Sequence, residues 1–312
     1  MGLIEVKNIT KRFDDKIVLD NISLSVDEGD IFGLIGPNGA GKTTLIKIMT
    51  GLWDSNDGEV IIDGYDIKKE PLKIKEQIGL VPQEIALFDN ISAYDNLEFF
   101  GYLYGLKGKF LKKRINEALE LIGLEEKRKE KVGKFSGGMK RRLNVACAIL
   151  HEPRILIMDE PTVGIDPQSR NLIFEFIRRT NKEKNTTVIY TSHYMEEVEM
   201  LCNNIFIIDL GQEVAYGNKK TIKSMISNND RILLEVFDYR ADMILAIKSL
   251  AGVNECIEEK GLIKLLVDKD DFRLEPLLKV IEGHNGKIKS INFEEPSLEE
   301  VFLALTGKNL RD

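Results

Sequence analysis

Residues Gly36-Pro37-Asn38-Gly39-Ala40-Gly41-Lys42-Thr43 spell G-x-x-x-x-G-K-T directly after the apolar run Ile31-Phe32-Gly33-Leu34-Ile35. No other feature constrains the chain so tightly, because the pattern demands a strand, a glycine turn and a helix in that order. The glycines let the backbone turn sharply with its N–H groups pointing inward. Lys42 supplies a cation for phosphate oxygens, and the Thr43 hydroxyl suits Mg2+. A helix starting near Lys42 adds its positive dipole end to this phosphate cradle.

The rest of the composition narrows the class. With 312 residues, 43% of them hydrophobic, the chain suits two domains better than one and has enough apolar content for real cores. Cys147, Cys202 and Cys256 form no C-x-x-C pair and cannot all be paired, so neither a disulfide framework nor a zinc site is supported and a reducing cytoplasm fits. The start, Met1-Gly2-Leu3-Ile4-Glu5-Val6-Lys7, lacks the layout of a signal peptide. No stretch approaches the roughly eighteen apolar residues that span a bilayer, so the expectation is a chain that does not cross a membrane by itself. Net charge is −7, of which residues 230–312 carry −5. An acidic tail region repels phosphate backbones and anionic lipid. The basic runs Lys68-Lys69, Lys112-Lys113-Arg114 and Lys127-Arg128-Lys129 read as solvated helix faces, so no nucleic-acid partner is expected.

Apolar periodicity gives the organisation. Residues 4–9 and 22–26 alternate like half-buried strands, whereas Ile31–Ile35, Ile155–Met158, Thr187–Tyr190 and Ile205–Ile208 are short continuous runs. Continuous runs suggest strands buried on both faces, hence an α/β core with a mostly parallel sheet between helices and an antiparallel edge built from the N-terminal strands. Between about 84 and 150 the spacing turns helical, with Asn96–Tyr104 and Phe110–Ile122 as segments of a helical insert. The polar stretch 221–229 reads as a linker between a first domain over 1–220 and a second domain over 230–312. That second unit reads β-α-β-β-α-β: strand Arg231–Phe237, helix Ala241–Leu250, strands Glu255–Glu258 and Leu262–Val267 about Lys260-Gly261, helix Phe272–Ile281 and strand Lys287–Phe293. This is the order of a ferredoxin-like α+β sandwich, closed by a helix over Ser297–Leu305 with a capping box at Ser297-Leu298-Glu299-Glu300. It carries no catalytic cluster and reads as a regulatory or interaction domain.

Two further segments carry chemistry. Ile155-Leu156-Ile157-Met158-Asp159-Glu160 ends a buried strand in two acids, at the sheet edge where α/β folds bind ligands. Asp159 suits Mg2+, and Glu160 can polarise an attacking water. Phe135-Ser136-Gly137-Gly138-Met139 opens an amphipathic helix that Ser136 can cap, a second anion-binding device in one chain. A second phosphate-recognising turn has no use for a single nucleotide unless it faces a partner's nucleotide.

The ordered set resembles the nucleotide-binding subunits of ABC transporters: the Walker A loop over 36–44, Val81-Pro82-Gln83, the signature at 136–140, the Walker B strand at 155–160, Gly164-Ile165-Asp166, and His193 after a strand. The resemblance spans about residues 3–220 and implies ATP and Mg2+ as cofactors. It implies that Gly36, Pro37, Asn38, Gly39, Ala40, Gly41, Lys42, Thr43 and Thr44 hold the phosphates and that Phe13 stacks on adenine. Thr43, Gln83 and Asp159 would ligate Mg2+, while Glu160, His193 and Gln83 serve hydrolysis. Ser136, Gly137 and Gly138 would bind the partner's ATP, and Asp166 would link the two active sites. His151 and His284 match nothing and are left structural. The signature departs from Leu-Ser-Gly-Gly-Gln at Phe135 and Met139, which puts a side-chain contact from position 139 in doubt.

The implied machine is an ATP-driven clamp of two such subunits, one copy or a homologue, on the cytoplasmic face of the cell membrane beside a separate polytopic membrane subunit. Residues 87–92 and the apolar face of Leu97-Glu98-Phe99-Phe100 would form the groove that receives it. The closing Glu295-Pro296-Ser297-Leu298-Glu299-Glu300-Val301-Phe302 and the Gly-Gly-Met-Lys-Arg-Arg-Leu signature look like the ABC-2 exporter type, which exports drugs, antibiotics, lipids or polysaccharides. An importer subunit, or an ABC ATPase that drives assembly without transport, stays open as an alternative.

Overall fold

The computed structural model describes residues 2–225, 229–237, 240–259 and 262–307. The chain divides into two compact units, the first over residues 1–219 and the second over 220–308.

The first unit opens with an antiparallel pair, β1 (Ile4–Phe13) and β2 (Lys16–Val26), followed by β3 (Ile31–Ile35), every residue of which is buried. Helix α1 (Lys42–Met49) leaves the glycine turn, then come β4 (Asp57–Ile62), β5 (Tyr65–Asp66), the short α2 (Pro71–Lys75) and β6 (Ile78–Val81). Three helices form the insert: α3 (Ala93–Leu103), α4 (Gly108–Leu121) and α5 (Gly137–Ile149). The chain continues through β7 (Ile155–Met158), α6 (Pro167–Lys184), β8 (Thr187–Ser192), α7 (Met195–Leu201), β9 (Asn204–Asp209) and β10 (Gln212–Asn218).

Two sheets result. One has the order β10-β9-β3-β8-β7-β6, parallel except for β10, which pairs antiparallel with β9. The other has the order β2-β1-β4-β5 and is antiparallel throughout. The N-terminal strands therefore do not form the edge of the parallel sheet, as their alternation suggests. They pair with the later β4 into a sheet of their own, and their alternate buried residues, Ile4, Val6, Leu24 and Val26, join a core shared with Phe32, Leu34, Ile155 and Ile157. The antiparallel edge is β10 instead.

The insert has a separate core of Leu97, Leu111, Ile115, Leu119, Leu143 and Leu150. Helix α3 starts in a capping box between Ser92 and Asp95, an arrangement worth about 1 kcal/mol. Fully buried Asn96 shapes the preceding loop: its carbonyl oxygen accepts the Phe88 N–H at 2.8 Å, and its amide donates to the Phe88 and Ser92 carbonyls at 3.0 Å.

Residues 219–224, within and beside the stretch that reads as a linker, form a helix, α8 (Lys219–Ser224), which buries Ile222. A polar sequence with one apolar residue can still be helical once that residue finds a core. The second unit then follows β11 (Asn229–Phe237), α9 (Ala241–Lys248), β12 (Val253–Glu259), β13 (Leu262–Asp268), α10 (Leu274–Gly283), β14 (Lys287–Glu294) and α11 (Leu298–Thr306). Its sheet is antiparallel in the order β12-β13-β11-β14, the arrangement of a β-α-β-β-α-β sandwich. Ile232, Leu234 and Val236 alternate inward on β11 and pack with Met243, Ile247, Leu277 and Ile281 of the two helices. Lys260-Gly261, the expected turn centre, lies outside the described residues. Ser297 and Glu300 form the expected capping box of α11.

Candidate active site

The order of the parallel sheet builds the site. Strands β3, β8, β7 and β6 are consecutive neighbours running in the same direction, so their C-terminal ends stand in a row about 5 Å apart. Each end delivers one of the segments singled out in the sequence. The glycine turn follows β3, His193 follows β8, Asp159-Glu160 follow β7, and Pro82-Gln83 follow β6.

These segments meet at Glu160. Its Oε1 lies 3.1 Å from Lys42 Nζ and 3.4 Å from His193 Nδ1, the latter without hydrogen-bond geometry. Its Oε2 accepts a hydrogen bond from Gln83 Nε2 at 3.2 Å. Glu160 is 5% exposed and adopts φ +46°, a left-handed conformation that costs a non-glycine residue about 1 kcal/mol or more. The Glu160 N–H is held by Thr191 Oγ1 at 2.8 Å. That hydroxyl donates in turn to Asp159 Oδ1 at 2.9 Å, so β8 fixes both acids of β7. Burial pushes the Asp159 carboxyl above its ordinary range, and hydrogen bonds from the Thr191 and Thr43 side chains pull it back.

The cradle is a close backbone approach. A Cβ on Gly36 would stand 2.1 Å from the Ile208 carbonyl oxygen, and Gly41 has φ +114°, open to glycine alone. Helix α1 begins at Lys42. The buried Lys42 ammonium donates to the carbonyls of Gly36 at 2.7 Å and Pro37 at 3.2 Å as well as facing Glu160. Ala40 is buried, Asn38 and Gly39 are exposed at the tip, and Thr43 and Thr44 are half-buried on the first helical turn.

The remaining residues singled out in the sequence lie elsewhere, His284 in the second unit and the others in the first. Phe13 belongs to the other sheet, 40% exposed at the end of β1, with its ring edge-on to Trp53 at 5.2 Å. Ser136 caps α5 by accepting the Met139 N–H, and Gly137 and Gly138 are the first two residues of that helix rather than a turn before it. Asp166 caps α6, accepting the Ser169 N–H at 2.8 Å, which lowers its carboxyl pKa. A Cβ on Gly138 would stand 2.2 Å from Ser169 Oγ and 2.8 Å from Asp166 Oδ2, so the two helix starts are fitted to each other through a missing side chain. His151 stacks on Tyr104 at 3.6 Å, and burial lowers its pKa to about 4. His284 caps α10 with Nδ1 2.7 Å from the Val280 carbonyl.

Residues 19–163 match the model of the ABC transporter family. Over 312 residues the chain is 45% identical to the linearmycin resistance ATP-binding protein LnrL of Bacillus subtilis, covering 99% of this chain and 100% of that one. The chain belongs to the ABC transporter family. It is 34% identical to the Nod factor export ATP-binding protein I of Cupriavidus metallidurans, covering 100% of this chain and 99% of that one. Among solved structures it resembles the ATP-binding cassette MJ0796 bound to ADP and Pi, with TM-score 0.63 and 28% identity over 69% of this chain and 98% of that chain. It is an ATP-binding, ATP-hydrolysing subunit, and the cluster about Glu160 lies at the sheet edge its cradle defines.

Two buried charged neighbours of the site are not visible in the sequence. Arg141, 4% exposed, reaches from α5 to donate to the carbonyls of Pro82, at 2.7 Å, and Gln83, tying the signature helix to the loop that carries Gln83. Its position four residues after Gly137 places it on the inner stripe of α5, the one signal available. Glu197, 2% exposed, is an acid in the first turn of α7.

Proposed function

We propose that this ABC ATPase energises export through a separate polytopic membrane subunit, with a drug, antibiotic, lipid or polysaccharide as cargo, by closing and opening an ATP-dependent dimer. The observation that carries the catalytic part is the convergence of Lys42, Gln83 and His193 on Glu160. Glu160 orients a water and accepts its proton as the water oxygen attacks the γ-phosphorus. The bond to the β-phosphate oxygen breaks, releasing ADP and inorganic phosphate. His193 steadies the γ-phosphate, and Lys42 with the N–H groups of the cradle neutralises the developing charge.

The donor set fits Mg2+. The buried Asp159 carboxylate hydrogen-bonds the Thr43 side chain, and an oxygen-rich pair at a phosphate cradle is what a hard cation takes. Thr43, Asp159 and Gln83 would hold Mg2+, which would supply charge neutralisation at the β- and γ-phosphate oxygens.

Export is favoured by likeness along the whole chain, second unit included, to proteins named for linearmycin resistance and Nod factor export. No described helix is long and apolar enough to cross a membrane; the translocation pathway in another chain and the place on the cytoplasmic face rest on likeness to ATP-binding proteins of resistance and export systems. On the insert, Phe88 and Phe99 are 49% and 42% exposed with rings 4.9 Å apart, a surface suited to a membrane partner. Leu97, which reads as part of that groove, is fully buried in the insert's own core and does not line it. The second unit serves assembly or regulation, so deletion after Ser227 leaves ATP affinity unchanged.

The test is a pull-down from solubilised native membranes with tagged Glu160→Gln protein, ATP and Mg2+. A polytopic membrane protein without a solute-binding protein supports export. Recovery of an extracytoplasmic solute-binding protein would make this an importer subunit, and soluble partners alone would make it an assembly ATPase.

A further inference from the structure

Glu197 stands 2% exposed in the first turn of α7. Its Oε2 accepts three hydroxyl hydrogens, from Thr162 at 2.7 Å, Tyr190 at 2.9 Å and Ser192 at 3.0 Å. Arg170 Nη1 is 3.8 Å from the other carboxylate oxygen. A buried carboxylate is costly unless paired and hydrogen-bonded, and here the three hydroxyls supply the hydrogen bonds. What the carboxylate provides is a fixed three-way tie.

The tie joins two segments of the site. Thr162 lies two residues after Glu160, in the stretch that leads to Asp166. Ser192 immediately precedes His193, and its hydroxyl also accepts the Tyr194 N–H at 2.9 Å, closing a bracket around His193. The loop that carries the hydrolytic acid and the turn that carries His193 thus hang from one oxygen atom. We propose that Glu197 is a positioning residue for ATP hydrolysis: through Ser192 and Thr162 it sets His193 against Glu160. This rests on the catalytic roles given above to His193 and Glu160.

The experiment is a double-mutant cycle on ATP turnover by the full-length chain, with Glu197→Gln, His193→Ala and both together. Glu160→Gln and circular dichroism melts serve as controls. Glutamine keeps the shape, but its neutral amide oxygen is a weaker acceptor for the three hydroxyls than the carboxylate. Expected is a fall in kcat of about tenfold or more with KM for ATP within about threefold, shrinking to less than about twofold in the His193→Ala background. An unchanged kcat, or the same fold-loss in both backgrounds, overturns the proposal. If Glu197→Gln does not fold, Thr162→Val and Thr162→Ser replace it. Loss with valine and recovery with serine supports the tie, and equal turnover by both overturns it. Failure of the underlying reading looks different: Glu160→Gln would then turn over like the wild type, and both claims would fall together.

Discussion

Lys42 Nζ sits 3.1 Å from Glu160 Oε1, and the two side chains are only 4% and 6% exposed. The pair joins the ends of β3 and β7, which are not neighbours but flank β8. The same ammonium donates to the Gly36 and Pro37 carbonyls, so the cation proposed for phosphate already has three oxygen partners. ATP must compete with Glu160 for it, which couples nucleotide binding to the acid proposed for hydrolysis.

Replacing Glu160 with glutamine therefore has three expected effects. Turnover falls by about 10²–10⁴-fold, the usual contribution of a positioned general base. ATP affinity does not weaken, because the neutral amide is a poorer rival for Lys42, and an ATP-bound dimer accumulates. Phosphate-release kinetics with nucleotide titration and light scattering check all three, and wild-type turnover by the variant would sink the assignment.

Lys42→Ala removes the phosphate cation and strands the buried Glu160 carboxylate with only Gln83 donating to it. Breaking a buried pair typically costs about 3–5 kcal/mol, and the remaining amide donor and His193 reduce this to about 1–3 kcal/mol. Expected are a lower urea midpoint and an ATP affinity weakened at least about 100-fold. Unchanged affinity in a fluorescent-nucleotide titration would contradict the cradle reading.

The two signature glycines are predicted to behave oppositely. A Cβ on Gly138 collides with Ser169 Oγ at 2.2 Å and Asp166 Oδ2 at 2.8 Å, whereas one on Gly137 meets nothing within 4 Å. Gly138→Ala is expected to destabilise the isolated chain by about 1–3 kcal/mol through overpacking. Gly137→Ala should leave stability unchanged or raise it by a few tenths to about 1 kcal/mol, as alanine does in a helix. If Gly137 faces the partner's phosphate, that same variant loses ATP-dependent dimerisation while still binding ATP. Dimerisation at wild-type strength would remove Gly137 from the partner site.

What sequence made legible here was whatever local chemistry dictates. The glycine cradle, the buried runs ending in acids, and the caps at Ser136 and Ser297 all follow from near neighbours along the chain. The sheet order was not legible, since nothing local tells β1 to pair with β4 rather than with the parallel sheet. Arg141 and Glu197 stayed hidden for a related reason. A buried charge is recognisable only by its distant partners, here the Pro82 and Gln83 carbonyls and three hydroxyls on other elements. The helix α8 at the start of the stretch 221–229 was not legible, because among its described residues burial rests on Ile222 alone amid polar neighbours.

Asp159 offers a prediction with a definite sign in pH. Burial raises its folded-state carboxyl pKa above the unfolded value of about 4, with the Thr191 and Thr43 hydrogen bonds opposing that rise. The folded state therefore holds this proton more tightly than the unfolded chain, so the group's contribution favours folding at low pH. That contribution is lost as pH rises through the folded pKa. Above that pKa the buried carboxylate is a cost to the fold, which the cation proposed for Asp159 would offset. Asp159→Asn is expected to raise the melting temperature at pH 7, with the gain shrinking toward zero as pH falls below about 4. It should also abolish the stabilisation that ATP with Mg2+ gives the wild type. Melting curves from pH 3.5 to 8, with and without MgATP, check both halves. A variant less stable than wild type at pH 7, or a gain that persists in acid, would mean that hydrogen bonds rather than desolvation govern this carboxylate.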